Sequence, residues 1–174
     1  MRRFQGWALY RRIGRRIFSR VKIREATEAD KPAVQAWFNP QGPSYHPTHL
    51  NPLVTEWVAY RGRRLAGFIQ LVRHPPEHFP YIGHWLFSLA VKPLHQGFGL
   101  GEKLSLVVID RALAEGAPRL DLLVNEDNDR AIRLYLKLGF EMHTIPELEP
   151  QLELERESTG RRRVVMRKQL AKLK

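Results

Sequence analysis

A chain of 174 residues with 43% hydrophobic and 10% aromatic content has enough apolar surface for one full core and too little length for two domains of ordinary size. It contains no cysteine, which excludes disulfides, thiolate metal ligands and a cysteine nucleophile together, and no uninterrupted apolar window of about 18 residues, so a soluble, cytoplasmic domain without a membrane span is expected. The net charge of +11 is concentrated at one end: seven Arg and no acid stand in the first twenty residues, leaving 22 bases against 18 acids, or +4, for the remainder.

That opening segment, MRRFQGWALYRRIGRRIFSR, sets Tyr10, Ile13 and Ile17 at helical spacing among arginine pairs and reads as a basic amphipathic extension, weakened by Gly6 and Gly14. Three roles stay open for it: a self-docked extension, an anchor to nucleic acid or anionic membrane, and an organelle transit peptide. The chain accordingly divides into residues 1–20 and a domain over 21–174. VKIREAT reads as a strand, and TEADKPAVQAWFN as a helix with Thr27 or Asp30 as cap, Pro32 near its start and Val34, Trp37 and Phe38 on one side. PQGPSYHPTHLNP is a loop across one face. EWVAY (56–60) and RLAGFIQLV (64–72) form a hairpin around a short Gly-containing link.

HWLFSLAV (84–91) is apolar almost throughout, the pattern of a strand buried on both faces. Leu100 to Glu115 carries a wide apolar helical arc that stops at Gly116. RLDLLV (119–124) is a strand, and DNDRAIRLYLKLG an amphipathic helix capped by Asn128 or Asp127 and ended by Gly139. A strand from Phe140, an acidic connection, and a strand at Val164, Val165 and Met166 complete the domain. In the connection, where Glu147, Glu149, Glu153, Glu155 and Glu157 crowd together, the alternation of Leu152, Glu153, Leu154 and Glu155 reads as a strand with one solvated face.

The stretch VKPLHQGFGLGEKL puts Gly97, Gly99 and Gly101 on the corner between the apolar strand and the long helix. N–H groups at a helix start have no partner within the helix and, with the helix dipole, attract phosphate; glycine lets its oxygens come close. Two common phosphate cradles are excluded by spacing. A Walker loop needs Gly-Lys-Ser/Thr where this chain has Gly101, Glu102 and Lys103, and the dinucleotide fingerprint is one residue longer. A plain turn remains the alternative.

A second motif adds specificity. Gln96, Gly99 and Gly101 fit the pattern Q/R-x-x-G-x-G/A, and in NDRAIRLYLKLGF the residues Asn128, Ala131, Tyr135, Gly139 and Phe140 stand at matching offsets. In this pair, and in the opening VKIREATEAD, residues 21–168 resemble the GNAT superfamily of N-acetyltransferases. The resemblance implies a mixed α/β (α+β) fold: a mainly antiparallel sheet, one splayed parallel pair, and helices on both faces. It implies acetyl coenzyme A as cosubstrate, with backbone amides from Gln96 through Gly97, Phe98, Gly99 and Leu100 to Gly101 holding its pyrophosphate. The pantetheine arm would lie along Leu89, Ala90 and Val91, an N–H of that strand facing the thioester carbonyl. Asn128 would help to fix the coenzyme, although an Asn at a helix start is also an ordinary cap. Tyr135, two turns further along the same helix face, would protonate the leaving thiolate. Acetyl would pass directly to a primary amine, with no covalent enzyme intermediate and no metal.

The match is incomplete where a base is needed to deprotonate the amine. Two branches of the family place a Glu where this chain has Trp85 or Leu123. The residues left are His84, Glu56, Ser88 and the group His74, Glu77 and His78, whose two prolines argue against helical metal-ligand spacing. The acidic connection offers a second use as an attractor for a cationic acceptor, small molecule or peptide. A homodimer stands among the expected assemblies. Two rival functions remain: a non-catalytic acyl-coenzyme A-binding module anchored by its tail to RNA, ribosome or membrane, and a nucleic-acid-binding domain.

Overall fold

The computed structural model describes residues 21–38 and 53–170. The expected basic extension (1–20) and the expected loop (40–52) lie outside the described residues. The elements in chain order are β1 (Val21–Glu25), α1 (Lys31–Phe38), β2 (Val54–Arg61), β3 (Arg64–His74), β4 (Gly83–Val91), α2 (Leu100–Ala114), β5 (Arg119–Asn125), α3 (Asp129–Lys137), β6 (Glu141–His143), α4 (Glu149–Thr159) and β7 (Arg163–Gln169). They build a seven-stranded sheet in the order β1-β2-β3-β4-β5-β7-β6. Among the described residues, only β4 and β5 run parallel.

Local chemistry sets the boundaries. The turn before α1 is closed by Asp30, whose carboxylate accepts from the Thr27 N–H (2.8 Å), the Thr27 hydroxyl (2.9 Å) and both ends of the Arg24 guanidinium. Burial disfavours the Asp30 charge, yet these bonds more than offset it and hold the carboxyl well below the usual range. Asn128 caps α3, its side-chain oxygen accepting from the Ala131 N–H at 3.1 Å. Gly139 ends that helix at φ 81°, the left-handed region where glycine has no steric cost.

Helices cover both faces of the sheet. On one face α2 and α3 pack over Trp57, Ala59, Ile69, Leu71, Leu86, Leu120, Leu122 and Met166. On the other, α1 covers Val58, Leu65 and Phe68, and α4 covers Trp85 and Val165. Gly67 lets α2 come down: a Cβ there would stand 2.8 Å from Leu104 Cδ1 and 3.3 Å from the Ala90 carbonyl oxygen. No helix among the described residues is long and apolar enough to cross a membrane.

Two expectations are corrected. The acidic connection is helix α4, not a strand. Leu148 and Leu152, one turn apart, are buried, whereas Leu154 is 66% exposed, so the i, i+4 pair decides over the alternation. Pro150 in the first turn and Gly160 in the left-handed region just beyond Thr159 fix its ends. Strand β4, in turn, is buried on both faces only at Trp85 and Leu86, and Ser88 is exposed. The reason is the loss of its neighbour: pairing with β5 stops at Leu86–Leu122.

Candidate active site

Beyond Leu86 the parallel strands separate, and a bulge accompanies the separation. Phe68 lies opposite Ala90 but Gln70 opposite Phe87, so β4 carries one residue more than β3. The extra residue falls at Ser88, whose φ is 54°, unusual for a residue with a side chain. Leu86 faces α2 before the bulge, and Leu89 and Val91 pack against the same core after it. A regular strand would have turned those two away.

Strand β4 leads into the glycine corner. Gly97 (φ 83°) and Gly99 (φ 84°) adopt left-handed backbone, and nothing lies within 4 Å of where a Cβ would project. Gly99 is also the N-cap of α2, so no side chain competes for the first-turn N–H groups. The first helical bond runs from Lys103 N–H to Gly99 O at 3.1 Å, leaving the amides of Leu100, Gly101 and Glu102 ahead of it. Glu102, an acid in this first turn, bonds Lys137 at 2.6 Å. Gly101 has another job: a Cβ on it would meet Leu134 of α3 at 3.4 Å, so its smallness serves helix contact.

Helix α3 is tied to this corner along one stripe. Arg130 donates to the Gln96 side-chain oxygen (2.6 Å), Leu134 abuts Gly101, and Lys137 reaches Glu102; the spacing 130, 134, 137 is that of one helix face. Tyr135, on the neighbouring stripe, is 6% exposed and packs edge-on to Phe140 with ring centroids 5.6 Å apart. Burial pushes its phenol well above the usual range, so it keeps its proton at every pH of interest.

Residues 18–140, more than half of the chain, match the family profile described as Acetyltransferase (GNAT) family. The chain belongs to the GNAT acetyltransferase family. Relatives named mycothiol acetyltransferase include one from Rhodococcus jostii, 34% identical over 112 residues (63% of this chain, 33% of the relative), and one from Geodermatophilus obscurus, 30% identical over 126 residues (72% and 34%). The chain thus spans about a third of the length of these curated relatives. Among solved structures, a Salmonella typhimurium protein crystallised with its cofactor acetyl-CoA superposes with a TM-score of 0.68 at 22% identity, covering 88% of this chain and 95% of that one. A Bacillus subtilis acetyltransferase in complex with CoA gives 0.63 at 21% identity, covering 87% and 99%. Both share the fold.

Within this GNAT frame, the sequence-derived residues fall into two groups. Leu89, Ala90 and Val91 line the separated half of β4, and Gln96 to Gly101 form the adjoining corner, while Asn128 caps α3 and Tyr135 is buried on it. Glu56 lies on the sheet face of α1 and α4, 4% exposed, accepting from Gln70 Nε2 at 2.7 Å. Glu56, Gln70 and Phe87 are paired in one row across β2, β3 and β4, one residue past the last β4–β5 pair. His84 stands elsewhere. It opens β4 at the closed end, opposite Leu120, and its Nε2 is 3.1 Å from Glu115, so the site does not include it. His74 and His78 touch through their Nδ1 atoms at 3.0 Å despite the intervening prolines, and burial lowers the His74 pKa, but among the described residues no third metal-ligating group joins them.

Two further side chains touch candidate residues, Gln70 bonding Glu56 and Arg130 bonding Gln96. Gln70 is a buried polar side chain in the apolar run GFIQLV, which is itself the usual signal of a built polar contact. Arg130 carried no signal, because one more Arg on an amphipathic helix reads as solvated surface.

Proposed function

We propose that this chain transfers acetyl from acetyl coenzyme A to a primary amine by direct attack. The carrying observation is that the separation of β4 from β5 after Leu86 and the open Gly97–Gly99 corner adjoin, giving an extended amide arm a strand edge and its pyrophosphate a helix start. Tyr135 would supply a proton, or a hydrogen bond, to the leaving sulfur. An open N–H of β4 would stabilise the oxyanion of the tetrahedral intermediate, a contribution of about 3 kcal/mol in comparable sites.

Of the base candidates, Glu56 is favoured. Strands lie about 4.8 Å apart, so it sits roughly 10 Å across the sheet from β4 and would act through Gln70 or a water. The acceptor would approach from the face of α1 and α4, where Glu147, Glu149 and Glu157 are exposed and favour a cation. A coenzyme-binding module without turnover is the second reading, and Trp85 favours it: that position, where one branch of the family has its Glu, is fully buried under α4.

Thiol release from acetyl coenzyme A decides between them. The acceptor panel begins with mycothiol-type compounds, after the relatives' name, and extends to polyamines, aminoglycosides and lysine. Amine-dependent thiol production is expected. Tight coenzyme binding with no amine stimulating release would leave only the module.

A further inference from the structure

The β4 edge that faces the separation already carries an amide. In an antiparallel pair, residues alternate between exchanging backbone bonds with the opposite residue and directing both groups the other way. Lys92 N–H donates to Ala66 O at 2.9 Å. Lys92 and, two positions earlier, Ala90 opposite Phe68 are therefore the bonded residues. Val91, opposite Gly67, turns its N–H and C=O away from β3, toward the side that β5 has left. The Gln96 carboxamide folds back onto that edge, Nε2 donating to Val91 O at 2.8 Å. Its Oε1 accepts from Arg130 at 2.6 Å. The partners fix the orientation of the amide, because a carbonyl only accepts and a guanidinium only donates.

We propose that the Gln96 carboxamide is an internal substitute for an amide of the pantetheine arm, occupying Val91 O until the coenzyme displaces it, and that Arg130, released from Gln96, then becomes a phosphate contact at the start of α2. This rests on the acetyl coenzyme A reading above. Pantetheine carries secondary amides, the groups that complete an open strand edge, and a primary carboxamide on a short side chain offers the same N–H donor. Gln96 and Arg130 are both exposed, so the exchange disturbs no core packing. One amide–carbonyl bond replaces another, and the arm therefore gains little at Val91. The surplus must come from charge at the corner, where a freed guanidinium stands beside Gly97 and Gly99. Arg130 thereby couples arm to phosphates: only a ligand bearing both converts the internal pair into two new contacts.

The test compares coenzyme A with pantetheine, which lacks the phosphates, by calorimetry on the full chain and its Gln96→Ala, Arg130→Ala and Arg130→Lys variants. Gln96→Ala is expected to bind pantetheine about two- to fivefold more tightly than the wild type, having no internal donor to displace. Arg130→Ala should share that gain for pantetheine and lose about five- to tenfold for coenzyme A, with Arg130→Lys recovering most of the loss. In the wild type, the Gln96 side-chain amide signals in a ¹⁵N-resolved NMR spectrum should move as pantetheine is added. Unmoved Gln96 signals at saturation overturn the proposal whatever the variants do. So does a Gln96→Ala chain that gains nothing for pantetheine, or an Arg130→Ala chain that loses both ligands by the same factor. A wild type that binds no coenzyme A sinks the acetyl-transfer reading itself, a distinct result because no variant is involved.

Discussion

Gly97 and Gly99 guard open space, and Gly101 guards a contact, so substitution at each has a different signature. Gly99→Glu places a carboxylate beside the first-turn amides in a left-handed backbone. Calorimetry should show coenzyme binding abolished, with the fold costing only about 1–2 kcal/mol for the strained residue. Tyr135→Phe removes the phenolic proton and keeps the ring against Phe140; turnover should fall about 100-fold with coenzyme affinity nearly unchanged. Equal loss of affinity would make Tyr135 a core aromatic. Glu56→Gln keeps the size of the side chain beside Gln70 and removes its carboxylate; if Glu56 is the base, kcat should fall about 100-fold or more. Residue identities at the corner were legible in the sequence because three glycines in five positions have no purpose in a regular helix or strand. The Glu56–Gln70 contact was not, since the two residues are 14 positions apart and meet only through the hairpin register.

At the level of elements, hydrophobic period predicted nearly every helix and strand and failed at α4. There the alternating Leu and Glu satisfied a strand pattern as well as a helical one, and the tie was broken by contacts with Trp85 and Val165 that no local window contains. Paired substitutions verify the outcome. Leu152→Ala should destabilise by about 2–5 kcal/mol in chemical denaturation, and Leu154→Ala by less than about 0.5 kcal/mol. A strand with both leucines on one face would show comparable losses. Gly67→Ala probes the seat of α2: with Leu104 and the Ala90 carbonyl in the way, about 1–3 kcal/mol should be lost and coenzyme binding weakened as the helix start moves. The parallel β4–β5 pair followed from the family resemblance, whereas the residue at which it opens required the register.

For the whole molecule, charge ties the elements at the end of α2 away from the glycine corner. Glu115, just past α2, accepts from Arg73 of β3 at 2.6 and 2.5 Å and from Arg111 at 2.8 Å, and Arg111 also reaches Glu25 of β1. The Arg73 hydrogen bonds lead in holding the Glu115 pKa down at about 2, against an ordinary 4.5, while burial opposes them. A carboxyl depressed in the folded state contributes stability that is fully present above the ordinary pKa and is lost as pH falls toward the depressed one. Denaturation midpoints should therefore hold steady down to about pH 4.5 and decline from there toward pH 2. Glu115→Gln should be less stable at neutral pH and show a shallower acid decline; an unchanged slope would assign acid sensitivity to other carboxylates, Asp30 first.

The bulge at Ser88 is the one place in β4 where the residue count exceeds that of its neighbour β3. Side chains along a strand alternate, so removing Ser88 would bring β4 to one residue for each of β3, leaving Leu89 and Val91 on the α2 face and Ala90 and Val91 opposite Phe68 and Gly67, but without the kink. A single-codon deletion there would straighten the strand at the mouth of the separation while every flanking residue kept its identity and its partner, a lesion to which a comparison of substitutions alone would be blind.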